Sequence, residues 1–200
     1  VGFVRSPVLQ EAPGAAHRDA LLDAAQPVTP ERLAAAASTP HEWLTYGGDY
    51  SANRYAALTE ITRGNVASLK LTWMYQAMTD YRRMENTPLV ADGVMYVSYP
   101  PSDVVALDAK TGRELWKHSG RLPGHMIGAG GWKVSRGVAL LGDQIFLATL
   151  DARVKALDAK TGRMLWDVSL GDYRKGYSFT AAPLAVKDMV IVGNSGGDFA

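Results

Sequence analysis

The sequence predicts an all-β chain: a β-propeller, of which these 200 residues hold only the first two to three four-stranded blades, preceded by a short helical N-terminal arm. Three observations predict it. First, "ALDAKTGRELW" (Ala106 to Trp116) and "ALDAKTGRMLW" (Ala156 to Trp166) agree at ten of eleven letters, at a spacing of 156 − 106 = 50 residues. Near-identity at such a period marks stacked copies of one supersecondary unit. Second, four short apolar runs separated by turn signals surround each copy, the pattern of a propeller blade. Third, each copy closes on a tryptophan, Trp116 or Trp166, large enough to wedge between neighbouring blades. A lone four-stranded sheet leaves two apolar faces uncovered, and radial stacking buries both. A β-sandwich of hairpins, the rival architecture, explains neither the repeated stretch nor its tryptophan. Two to three blades close no ring, so the chain reads as a fragment or as dependent on a partner.

Residues 1–40 form the arm and 41–200 the blades. The arm is Ala-rich, Pro-punctuated and without strand alternation. Within it "TPERLAAAAS" predicts a short helix, with Thr29 as N-cap, Pro30 at the first helical position and Pro40 marking the end. "NVASLKLTW", ending at Trp73, resembles the fourth strand of a blade without the preceding three. A closed propeller needs such a strand when its last blade is completed by both chain ends. "TPLVADGVMYVSYP" predicts a hairpin hinged on Asp92-Gly93. "DVVALDAKTGRELWKHS" predicts a second, hinged on Lys110-Thr111-Gly112. "GVALLGDQIFLATL", turning near Gly142-Asp143, and "ARVKALDAKTGRMLWDVS" repeat the pattern, and a third copy starts at "APLAVKDMVIVGNS".

Composition excludes several classes of function. Hydrophobic residues at 47% and charged residues at 20% fit a folded core. A net charge of +1 gives no electrostatic reason to bind nucleic acid or an anionic membrane. No apolar run approaches a membrane span. Without cysteine there is no disulfide, thiolate metal site or thiol nucleophile. The chain opens on Val1 and shows no signal-peptide pattern, so it reads as a processed or excised product for which a secreted origin is permitted.

"WLTYGGDYSANRYAALTEITRGNVASLKLTW" (Trp43 to Trp73), "ENTPLVADGVMY" (Glu85 to Tyr96), the two "ALDAKTGR" turns and "APLAVKDMVIVGNSGGDF" together resemble the quinoproteins, the alcohol dehydrogenases that depend on pyrroloquinoline quinone (PQQ). The likeness runs in order over nearly all of residues 40–200. It implies an eight-bladed propeller of the quinoprotein type, of which this chain is the first third. The family activity it implies is oxidation of an alcohol or sugar by hydride transfer to the quinone. Electrons then leave to a cytochrome or membrane quinone. Implied with it are a calcium ion (a lanthanide is also open) beside the quinone oxygen, a periplasmic location and dependence on the remainder of the propeller.

PQQ is a flat tricarboxylated ortho-quinone, so its binding site needs cations and hydroxyl or amide donors. Arg136, in "VSRG", matches the family arginine that contacts a carboxylate, and its planar fork suits that task. Glu85 matches a family glutamate that hydrogen-bonds the cofactor; a cap at a strand edge is an equal alternative. Thr180, Ser195, Gly196 and Gly197 match further cofactor contacts, with 195 − 180 = 15 preserving the family spacing. Asp198 stands where the family carries a metal-binding glutamate, one methylene longer. The sequence departs from the family at 136 − 6 = 130: Gly130-Gly131 replaces the adjacent cysteine pair whose strained ring lies on one face of PQQ. Trp132 and His125 are candidates for that stacking face, with Trp132 as an ordinary packed aromatic the plainer reading. The family's catalytic aspartate lies in a later blade, so no catalytic residue is assigned here and residues 1–200 alone are expected to be inactive. The alternative is a non-catalytic propeller scaffold or subunit that has lost the redox disulfide.

Overall fold

The computed structural model describes residues 14–79, 84–123 and 134–195. Two antiparallel four-stranded sheets carry the two repeats. The first has β1 (Leu89–Ala91), β2 (Val94–Tyr99), β3 (Asp103–Asp108) and β4 (Glu114–His118), in that order across the sheet. The second has β5 (Ala139–Leu141), β6 (Gln144–Ala148), β7 (Arg153–Asp158) and β8 (Met164–Ser169), in the same order. A two-stranded sheet of β9 (Leu184–Val186) and β10 (Met189–Ile191) begins the third copy. The hinge residues Asp92 and Gly93 both have positive φ, at 49° and 79°, as the tightest hairpin turns require.

The repeated stretch folds the same way twice. Asp108 accepts hydrogen bonds from the Lys110 amide and the Thr111 hydroxyl, both at 2.8 Å. Asp158 does the same for the Lys160 amide at 3.1 Å and the Thr161 hydroxyl at 2.8 Å. An aspartate that bonds its own turn in this way mimics a backbone turn. Each outer strand pair also shifts register at the same place, between Ala106 and Leu107 and between Ala156 and Leu157, a bulge that increases local twist.

The glycine of each turn has two tasks. Gly112 and Gly162 take positive φ (70° and 68°), and each forms a floor under the tryptophan of the preceding unit. A Cβ on Gly162 would lie 2.4 Å from the Trp116 ring, and one on Gly112 would lie 2.3 Å from Trp73. The indole N–H of Trp116 donates to the Ala159 carbonyl at 3.0 Å, and that of Trp73 to the Ala109 carbonyl at 3.2 Å. Each tryptophan is therefore fastened to the next unit's turn by one hydrogen bond and one ring-on-backbone contact.

One continuous apolar core fills the space between the sheets and under the arm. It joins Leu89, Tyr96 and Val104 of the first sheet to Leu140, Ile145 and Leu157 of the second, with Leu22, Val28, Leu33 and Leu44 packed in from the N-terminal side. The predicted helix forms at its start as α2 (Pro30–Ala34), with the Thr29 hydroxyl accepting from the Arg32 amide at 3.2 Å, but its second half is a 3-10 turn at Ala36–Ser38. A helix that the sequence reading did not include precedes it, α1 (Ala15–Ala24). Its Ala and Leu content favours helix, but no side chain caps it and only Leu22 is buried, so neither a cap nor an apolar stripe marks it. Val28 bridges to Gly142 of the second sheet, and Arg32 pairs with Asp92 at the first sheet's hinge and with Glu42. The expected strand ending at Trp73 forms no ladder: beyond a 3-10 turn at Val66–Ser68 the backbone runs without a strand partner among the described residues. Isolated strand sequence is not stable by itself, yet Trp73 still takes its seat on Gly112.

Candidate functional site

Strands β1, β5 and β9 are the edge strands of their sheets. The segments that lead into them run side by side. The Thr87 amide donates to the Arg136 carbonyl at 3.3 Å, and the Arg136 amide donates to the Thr180 carbonyl at 3.1 Å. Gly137, at φ 139°, permits this approach: a Cβ there would lie 3.3 Å from Ala182 Cβ and 3.4 Å from the Thr87 carbonyl oxygen. The chain thus brings three successive repeats to one point and presents one polar residue from each.

Those residues form a directional relay. Arg136 Nη2 lies 2.9 Å from Glu85 Oε2, and Arg136 Nη1 donates to Thr180 Oγ1 at 2.8 Å. The Thr180 hydroxyl donates to Ser195 Oγ at 3.4 Å, and the Ser195 hydroxyl donates to the Ser178 carbonyl at 2.9 Å. Ser195 is fixed by a backbone bridge, its amide donating to the Ser178 carbonyl at 2.8 Å. Glu85, Arg136, Thr180 and Ser195, each singled out from sequence, are therefore brought together. Gly196, Gly197 and Asp198 lie outside the described residues, as do His125, Gly130, Gly131 and Trp132. Sequence reading missed Ser178, whose buried Oγ has no partner among the described residues. A lone serine two residues before Thr180 carries no signal of its own.

The arrangement can hold an anion with planar geometry. The Arg136 side chain is 39% exposed, and a guanidinium carries five N–H donors in a fixed fork. Two are directed at Glu85 and Thr180, which orient the plane and leave donors for an incoming carboxylate. Glu85, 35% exposed, supplies an acceptor beside that fork. Among the described residues no group of three or more His, Cys, Asp or Glu side chains converges to hold a metal ion.

The repeat and the sheet order are those of part of a β-propeller. The chain belongs to the PQQ-dependent dehydrogenase family, matching its domain described as "PQQ: Glucose/ethanol/alcohol dehydrogenase, beta-propeller domain" over residues 43–200. The dehydrogenase subunit of a quinone-type alcohol dehydrogenase from Komagataeibacter europaeus is 41% identical over 185 residues, 88% of this chain and 25% of that protein. Quinohemoprotein alcohol dehydrogenase ADH IIB from Pseudomonas putida is 40% identical over 159 residues, 79% of this chain and 23% of that protein. The solved quinohemoprotein alcohol dehydrogenase ADHIIG from Pseudomonas putida HK5 superposes with a TM-score of 0.83 at 39% identity, covering 88% of this chain and 26% of its own. A europium-containing methanol dehydrogenase superposes at 0.78 with 37% identity, covering 84% of this chain and 30% of its own. The chain thus spans about a quarter of the length of the curated relatives it matches.

Proposed function

We propose that this chain is the N-terminal portion of a periplasmic dehydrogenase that binds PQQ and a divalent or lanthanide cation and oxidises an alcohol or sugar. Its electrons would pass to a cytochrome or membrane quinone. The observation that carries the reading is the convergence of Glu85, Arg136, Thr180 and Ser195, drawn from three repeats onto one relay. The donor set fits the cofactor: the Arg136 guanidinium fork suits a polycarboxylate, and the Glu85 carboxylate suits the single pyrrole N–H that PQQ carries. When bound, PQQ supplies the two-electron acceptor chemistry. This chain's own residues bind and orient: Arg136 grips a carboxylate, Glu85 and Thr180 (itself bonded to Ser195) hold the fork in plane, and Glu85 offers an acceptor beside it. Asp198 is the residue of this chain assigned to the cation, and Gly196 and Gly197 are assigned to the cofactor. The proton acceptor is supplied by the remainder of the propeller, so residues 1–200 alone turn over no substrate.

A non-catalytic scaffold is the second reading, favoured by the absence of cysteine from the chain. It gives no reason to keep a partly exposed Glu–Arg–Thr–Ser relay at the meeting point of three repeats. The full-length protein titrated with PQQ decides between them. Saturable quenching of tryptophan fluorescence, followed by dye reduction with alcohols or sugars, supports the enzyme; binding without turnover supports the scaffold, and no binding removes the cofactor assignment.

A further inference from the structure

Next to the relay in the sequence, the residues adjacent to Glu85 and Arg136 make a second polar group with a residue of β2. Ser98, near the end of β2, is 1% exposed, and Ser135 is 5% exposed. Their hydroxyls lie 2.8 Å apart. The Asn86 side-chain amide donates to the Ser98 backbone carbonyl. Asn86 follows Glu85 and Ser135 precedes Arg136. The two segments that carry the acid and the base are thus both attached to one residue of a central strand. Ser98 is itself held in register, paired with Val104 across the β2–β3 ladder.

We propose that Asn86, Ser98 and Ser135 form a buried bracket that positions the Glu85–Arg136 fork for its anionic ligand. The proposal rests on the cofactor reading above. Three physical points support it. Among the described residues the direct backbone hydrogen bond between the two segments is one 3.3 Å contact from the Thr87 amide to the Arg136 carbonyl, at the long end of useful hydrogen bonds. Sub-ångström placement of a ligand-gripping side chain therefore needs a second tie. A buried hydroxyl pair stabilises little in itself, because an apolar pair of the same shape would be nearly neutral. What the pair supplies is direction, since a 2.8 Å hydroxyl contact is satisfied at one relative position of the two segments. A pair of alanines would permit several.

The test separates positioning from stability. It uses the full-length protein, PQQ as the probe, fluorescence quenching for affinity and thermal unfolding for stability. Ser135→Ala strands the buried Ser98 hydroxyl and is expected to lower both Tm and affinity. The pair Ser98→Ala with Ser135→Ala strands nothing, so Tm returns toward that of the unsubstituted protein. Affinity for PQQ is expected to stay about tenfold weaker, the scale at which orienting partners act on a bound group. Asn86→Ala, which leaves the hydroxyl pair intact, is expected to weaken binding by a similar factor. If the doubly substituted protein recovers both Tm and affinity, the bracket is structural only and the proposal is wrong. Unchanged binding in Asn86→Ala removes that residue from the bracket. If the unsubstituted protein itself shows no saturable PQQ binding, the cofactor reading fails first and the proposal falls with it.

Discussion

Arg136 holds Glu85 with one guanidinium nitrogen and Thr180 with another, a geometry that a lysine ammonium cannot copy because it is a point charge on a flexible stem. Arg136→Lys in the full-length protein is therefore expected to weaken PQQ binding by at least about tenfold while keeping the charge. Titration by fluorescence quenching checks it, and an unchanged Kd would remove Arg136 from the site. At this scale the sequence was informative for some groups and silent for others. Glu85, Arg136, Thr180 and Ser195 stand in motifs whose order and spacing point to them. Asn86, Ser98 and Ser135 do not: a serine near a strand end is commonplace, and their juxtaposition exists only once two sheets have packed together.

The outer turn is the element whose prediction is sharpest, because the chain supplies its own control. Gly142 and Gly162 share positive φ (61° and 68°), but a Cβ on Gly142 meets nothing within 4 Å, whereas one on Gly162 meets the Trp116 ring at 2.4 Å. Gly142→Ala should cost about 1–2 kcal/mol, the left-handed penalty alone. Gly162→Ala should add about 1–3 kcal/mol for displacing the indole. Urea unfolding of the two variants measures the difference, and equal losses would mean the tryptophan seat contributes nothing. His118 gives the same junction a pH dependence. Burial pushes its imidazole below the ordinary value of 6.5, outweighing its hydrogen bond to the Gly162 carbonyl, 3.2 Å away. The unfolded chain therefore takes up this proton first, so stability is full above pH 6.5 and falls as pH drops below it. Comparing urea midpoints at neutral and mildly acid pH, His118→Gln should lose less than the unsubstituted protein. The hairpins hinged on Asp92-Gly93 and Gly112 were legible because turn chemistry is local. Helix α1 and the unpaired stretch before Trp73 were not, because their outcome depends on packing and strand partners that no local pattern reports.

Across the whole molecule, the surface left by β8 sets the behaviour. Trp166 is 39% exposed, beside exposed Leu165, Val168 and Leu170. Trp166, Val168 and Leu170 join Phe146 and Val190 in lining an apolar groove of about 750 Å³. Trp73 and Trp116 each rest on the next unit's glycine turn, while of the third unit the described residues contain only β9 and β10. An apolar face of this kind on a monomer promotes association. Residues 1–200 expressed alone are expected to bind a hydrophobic dye strongly and to self-associate with rising concentration. The full-length protein should do neither, as static light scattering would show; a monodisperse, dye-silent fragment would contradict the assignment of this face to an inter-blade contact.

The repeated turn also makes the chain a set of interchangeable parts at the level of the gene. Excising residues 107–156 joins Ala106 to Leu157 and rewrites the same sentence without a seam. Strands β1, β2 and most of β3 would then receive β8 as their outer partner, and Trp73 would meet Gly162 in place of Gly112. Arg136 leaves with the excised piece. One in-frame deletion of this kind would preserve the blade and abolish the anion grip, so recombination between the two copies can separate shape from chemistry in a single event.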